Sequence, residues 1–450
     1  MKRREFLKIS AAAAVAAACA PRDARSGGAA KTVEGPEQML MRENPVSGDR
    51  VSALGFGCMR WPMIKDAGGK DVIDQEAVNE MVDYAIAHGV NYFDTSPAYL
   101  QGQSEKAAGE ALSRHPRSSY YIATKLSNFG DQSPEGSKKM FFDSLEQLRT
   151  DYFDYYLLHS IGRGGRAAFN RRYVDNGMID FLREQKAAGR IRNLGFSFHG
   201  AQNEFDAFME MHDSGEMVWD FVQIEMNYVD WKHADGVRNA NAAYLYEQLD
   251  KRGIPIVIME PLLGGRLARV PEGISRQMKQ REPDMSVASW AFRFCATHPR
   301  VLCVLSGMTN MDPLKENVQT FGHFKPLTEE ELAFLEQMAT QMMEYPLVNC
   351  TDCKYCMPCP WGIDIPGTFQ HYNRAITEGT YAQSREQKDY AKLKKAYLVS
   401  YDRAVATLRQ ADHCIGCGEC LSHCPQSIAI PRQLRRIARY IEDLKQDTLP

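Results

Sequence analysis

Eight of the twelve cysteines fall into two short runs, and thiolates repeated at that spacing can wrap a metal–sulfur cluster. The first run is Cys350, Cys353, Cys356 and Cys359, with two residues in every gap. The second is Cys414, Cys417, Cys420 and Cys424, followed at once by Pro425, so its last gap holds three residues. Three thiolates at every third residue present themselves to one corner of a 4Fe–4S cube. Structural zinc favours paired C-x2-C ligands with a wider gap between the pairs, and cysteines in i, i+3 runs make a poor disulfide framework. A second set of residues suits a different chemistry. Asp94, Lys125 and His159 each follow a short apolar run, and Tyr99 lies five residues beyond Asp94. A tyrosine can donate a proton to a developing alkoxide, but a phenol of pKa about 10 needs help near neutrality. Lys125 is expected to lower it, Asp94 to hold Lys125 charged, and His159 to orient a carbonyl. Taken singly, each has a plain structural role open to it as a turn cap, a packed ring or a polar strand end.

The elements that must position these groups alternate. From residue 51 onward, short apolar runs at 53–57, 90–93, 120–124, 153–158, 191–196, 221–224, 254–259 and 301–305 are separated by amphipathic stretches. Eight βα units in succession predict a (β/α)8 TIM barrel, α/β in class, with chemistry at the C-terminal strand ends. The doubly wound alternative lacks its G-x-G-x-x-G after the first run, where the chain reads Leu54-Gly55-Phe56-Gly57-Cys58. Cys58, Cys295 and Cys303 sit on barrel elements as core residues.

Here a resemblance enters. Asn91-Tyr92-Phe93-Asp94-Thr95-Ser96-Pro97-Ala98-Tyr99, then Ala123-Thr124-Lys125 and Asp154-Tyr155-Tyr156-Leu157-Leu158-His159, resemble in order the catalytic segments of the aldo-keto reductase superfamily. The resemblance implies a tetrad of Asp94, Tyr99, Lys125 and His159 and a nicotinamide hydride donor. It also implies cofactor contacts at Ser197, Gln223, Leu262, Gly264, Gly307, Glu316 and Asn317. Phe198 stands where that family usually has Asn, Met259 where it has a stacking aromatic, and Ser306-Gly307 replaces its Lys-Ser pair. NADP and NAD therefore both remain open. The C-terminal cysteines resemble a ferredoxin-type domain, small and mainly helical. In its two-cluster form Cys350, Cys353 and Cys356 share a cluster with Cys424, and Cys414, Cys417 and Cys420 share one with Cys359.

The start, MKRREFLKISAAAAVAAACA, pairs Arg3-Arg4 with a short apolar stretch and resembles a twin-arginine export signal. Cys19 is a candidate lipidation site. The expected organisation is a signal over 1–20, a linker over 21–45, the barrel over 46–325 and the iron–sulfur domain over 326–450. Export would place the protein in the periplasm or on the outer face of the cytoplasmic membrane. A composition of 44% hydrophobic and 25% charged residues fits a globular core, and a net charge of −3 gives no sign of a nucleic-acid partner. The arginines of 160–175 (Arg163, Arg166, Arg171, Arg172) read as a solvated basic loop. The functional expectation is an oxidoreductase that reduces a carbonyl, or oxidises an alcohol, by nicotinamide hydride transfer with Tyr99 as general acid, coupled to 4Fe–4S electron transfer. It implies a small-molecule substrate and a redox partner protein. The alternative is an electron-transfer or redox-sensing subunit whose barrel is a docking scaffold.

Overall fold

The computed structural model describes residues 39–234 and 239–450. The export signal, Cys19 and most of the linker lie outside the described residues. Eight parallel strands close into a barrel: β1 (Leu54–Gly57), β2 (Tyr92–Asp94), β3 (Tyr121–Leu126), β4 (Phe153–Gly162), β5 (Ile191–His199), β6 (Phe221–Glu225), β7 (Ile256–Met259) and β8 (Val301–Ser306). Strand β8 pairs with β1 through Val304 and Leu54, which completes the ring. The apolar runs were continuous rather than alternating because helices cover the outer face of a parallel barrel while side chains fill the inside. The interior is plugged by Tyr92, Tyr155, Phe221, Val257 and Cys303, with Tyr155 5.0 Å from both the Tyr92 and Phe221 rings.

Residues 41–43 do not continue the linker. Met41–Glu43 pairs antiparallel with Arg50–Ser52, and the turn between them seals the barrel floor. There the Asn44 amide donates to the Tyr155 hydroxyl at 3.1 Å, and that hydroxyl donates to Asp49 at 2.9 Å. The helix Glu329–Met343 opens on a Thr328–Glu331 capping box. It packs Phe334, Leu335, Met338 and Met342 into the barrel's own core, so the second domain begins after it.

That second domain has a separate core. Helices Ile365–Thr377, Tyr390–Ala404 and Ile430–Gln446 bury Phe369, Tyr372, Tyr397, Leu434, Ile437 and Leu444 together. In the last helix, Leu434, Ile437, Ile441 and Leu444 recur at helical spacing on one buried stripe. The domain docks on the C-terminal face of the barrel, where Gln426 donates to the Glu225 carboxylate at 3.0 Å and Arg163 donates to Leu421 O at 3.3 Å.

Candidate active site

All four strand-end residues meet at the C-terminal mouth of the barrel. Asp94 closes β2 and Lys125 lies one residue from the end of β3, both fully buried. Lys125 Nζ donates to Asp94 Oδ1 at 2.5 Å and to Thr95 O at 2.8 Å. The other oxygen of Asp94 accepts from Gln223 Nε2 at 3.1 Å. Tyr99 begins a tight turn in which Leu100 and Gln101 both take positive φ (48° and 57°), and its ring centroid lies 5.0 Å from Lys125 Nζ. His159 sits beside an irregularity in β4, where the register with β5 shifts between Leu158 and Ile161. Such a bulge re-aims a side chain out of the pleat. The His159 ring meets Tyr99 edge-on at 5.9 Å.

Burial sets the proton affinities. The Tyr99 phenol is held well above its ordinary value, first by burial and then by the Asp94 carboxylate. Burial outweighs the lowering expected from Lys125, whose ammonium is paired with Asp94 at 2.5 Å. His159 is pushed well below the usual imidazole range by burial, with Lys125 and Arg172 adding like-charge repulsion. Its Nδ1 faces Ser127 Oγ at 2.5 Å and Ser96 Oγ at 3.3 Å, and among the described residues Nε2 has no partner. Nor is Arg172 part of a solvated loop. Residues 165–174 are helical, and the guanidinium is buried over the Phe129 ring and donates to His159 O at 2.8 Å.

Asp94, Tyr99 and His159 open into a cavity of about 480 Å³ that also reaches Ser197, Gln223, Met259, Leu262, Gly264 and Gly307. Ser197 Oγ accepts from Ser160 N at 2.8 Å. Phe198 turns away into the core against Phe205, 4.9 Å between rings. Glu316 and Asn317 are not among the described residues lining this cavity, and the Asn317 amide is spent on Ser306 Oγ at 3.0 Å. Gly264, at φ +69°, donates its N–H to the Glu260 carboxylate at 2.6 Å and faces the Thr351 backbone. The Gly264 N–H is therefore already committed there.

Cys353 and Tyr355 of the second domain wall the same cavity, and the Tyr355 ring lies 6.5 Å from His159 and 6.3 Å from Phe129. Arg60, after β1, donates to Thr351 O and pairs with Asp352 at 3.6 Å. Sequence reasoning missed Tyr355, Arg60, Glu260, Ser96 and Ser127. Ser96 alone had a visible cue, lying inside the Asp94–Tyr99 segment.

The cysteines sort into two groups in space. Cys350, Cys353, Cys356 and Cys424 lie within electrostatic reach of one another. Cys359, Cys414, Cys417 and Cys420 line a cavity of about 240 Å³ that Cys356 and Tyr355 also reach, walled by Trp361, Ile363, Ile365, Ile415 and Leu434. Cys424 thus leaves its own run to join the first three cysteines, and Cys359 crosses to the second. Four thiols around an apolar pocket suit an iron–sulfur cluster by donor type and by room.

Comparison with known proteins bears on this site directly. The aldo/keto reductase family profile matches residues 53–340, well over half of the chain. The chain belongs to the aldo/keto reductase family. A 4Fe–4S dicluster domain profile matches residues 349–429, so this oxidoreductase carries an iron–sulfur domain behind its barrel. Relatives include the uncharacterized oxidoreductase YqkF of Bacillus subtilis, 26% identical over 321 residues that cover 65% of this chain and 94% of its own. L-galactose dehydrogenase of Arabidopsis thaliana is 28% identical over 299 residues, 62% of this chain and 88% of its own. Among solved structures, an aldo-keto reductase from Bacillus halodurans in its holo form superposes with a TM-score of 0.53 at 24% identity, covering 67% of this chain and 96% of that one. One from Klebsiella pneumoniae in complex with NADP and acetate gives 0.51 at 21% identity, covering 65% and 93%. Those likenesses cover the aldo-keto reductase barrel; the iron–sulfur wall of the cavity is additional to it.

Proposed function

We propose that this aldo/keto reductase family member reduces a small carbonyl, or oxidises the matching alcohol, with Tyr99 as the general acid. The observation that carries the reading is that Asp94, Tyr99 and His159 line one cavity, with Lys125 buried directly behind, bonded to Asp94 and 5.0 Å from the Tyr99 ring. A nicotinamide dinucleotide, when bound, supplies the hydride, and its ring end would be held by Ser197 and Gln223. Room and donor types fit it at that end, where both residues line the cavity beside Met259. The chain's own residues do the rest. The high proton affinity of Tyr99 keeps its phenol protonated until an alkoxide forms beside it. With Ser127 donating to Nδ1, neutral His159 carries its proton on Nε2 and donates to the carbonyl oxygen. Buried Lys125 stabilises the phenolate left behind, and Asp94 fixes Lys125 in place.

The thiol grouping supports two clusters, one held by Cys350, Cys353, Cys356 and Cys424 and the other by Cys359, Cys414, Cys417 and Cys420. They would link the barrel to a one-electron partner protein. Arg3-Arg4 supports export by the twin-arginine route, testable by Arg3→Lys with Arg4→Lys and cell fractionation. The enzymatic reading is tested with anaerobically purified protein, NADPH and a panel of aldehydes and quinones. Turnover that Tyr99→Phe abolishes is expected. No turnover with any carbonyl, together with stable co-purification of an oxidoreductase, would favour the docking-scaffold alternative.

A further inference from the structure

The outer end of the cavity is basic, and its basicity comes from both domains. Arg266 and Arg269 follow β7, and Arg374 sits on the helix Ile365–Thr377 of the iron–sulfur domain; all three line the cavity. On that helix Gln370, Asn373, Arg374 and Thr377 fall on one face and all reach the cavity. Arg60 is committed to Thr351 O and Asp352, and one Arg266 nitrogen to Asn349 Oδ1 at 2.9 Å. The buried Arg266 Nε has no partner. Among the described residues, Arg269 and Arg374 make neither an ion pair nor a side-chain hydrogen bond. Thr309 and Pro313 line the same cavity near the start of the helix Met311–Gly322, where the Asn310 side chain already caps the Asp312 N–H at 3.0 Å.

Guanidinium groups from both domains around one cavity, those of Arg269 and Arg374 without a side-chain partner among the described residues, suit a phosphoryl group, which accepts planar, bidentate hydrogen bonds. We propose that Arg374, with Arg266 and Arg269, forms a phosphoryl-binding site that grips the phosphates of the dinucleotide from the barrel and the iron–sulfur domain at once. This rests on the reading of a dinucleotide as hydride donor and adds to it the source of affinity at the phosphate end. It also accounts for a loop after β7 whose Gly264 N–H is already taken by Glu260.

The test uses full-length, cluster-replete protein under anaerobic conditions. Kd values for NADP+ and NAD+ are measured by titration calorimetry, with inorganic pyrophosphate as competitor. Arg374→Ala and Arg269→Ala are each expected to weaken dinucleotide binding about 10- to 100-fold, the scale of a lost charge-assisted bond. Iron content and the electron paramagnetic resonance of the reduced clusters should be unchanged. Loss confined to NADP+ would place the 2′-phosphate at Arg374, and equal loss for both would place the pyrophosphate there. Wild-type affinity retained in both variants would overturn this inference alone. A wild-type protein that binds neither dinucleotide would overturn it together with the hydride-donor reading.

Discussion

The backbone of Thr351 lies directly on Gly264: a methyl group at Gly264 would stand 2.3 Å from the Thr351 Cα. That contact joins the loop after β7 to the segment just beyond the first cysteine, and Arg266–Asn349 and Arg60–Thr351 flank it. The roof of the active site is therefore part of the iron–sulfur domain.

Gly264→Ala should loosen that roof. Its φ of +69° already disfavours an L side chain, and the added methyl meets main chain that cannot rotate away. A loss of roughly 1–3 kcal/mol is expected, with faster amide exchange at 349–355 while the barrel strands stay protected. Hydrogen-exchange mass spectrometry on the two proteins reads this directly.

Lys125→Met should cost about 3–5 kcal/mol, because it strands a buried carboxylate. Burial already raises the Asp94 proton affinity, and Lys125 and Gln223 oppose that rise. Without the ammonium the destabilisation should deepen as pH rises. Pairing the change with Asp94→Asn should restore much of the stability and none of the activity. Thermal melts across pH compare the two variants.

Glu105 gives a pH signature unrelated to catalysis. Burial pushes its carboxyl up to about 7, although Thr124 and Ser144 hydroxyls donate to it at 2.5 and 3.1 Å. A folded-state value above the ordinary 4.5 means that the folded chain prefers the protonated acid. That stability is complete below about pH 4.5 and is lost as pH rises through about 7, up to roughly 3 kcal/mol. Glu105→Gln should flatten the profile over that window. Parallel denaturant titrations at pH 5 and 8 measure the difference.

Cys424→Ser should resemble Cys350→Ser and not Cys414→Ser. If Cys424 completes the first group, its loss removes the cluster nearer Tyr355 and leaves the signals of the other, with about half the iron retained. Spectra of Cys424→Ser that match Cys414→Ser would contradict the crossed pairing.

The chain's local pattern announces much of this. Apolar runs followed by Asp94, Lys125 and His159 mark strand ends, because in a parallel barrel a strand's burial and its exit point are both written in a few adjacent residues. The cysteine spacing is equally local, since ligands on neighbouring turns of one segment must meet one cluster. Even so, 41–43 read as linker by composition and became a strand that closes the barrel floor. Residues 165–174 read as a polar loop and became a helix that buries Arg172 behind His159.

The sequence by itself determined the barrel, the four residues at its mouth and the eight thiols, all from short-range spacing. Domain packing alone puts Tyr355 and Cys353 in the cavity wall and Arg374 on the same cavity as Arg266 and Arg269. These depend on how one folded domain settles on the other. That docking rests on close backbone approach and paired burial of polar groups, which no periodicity records.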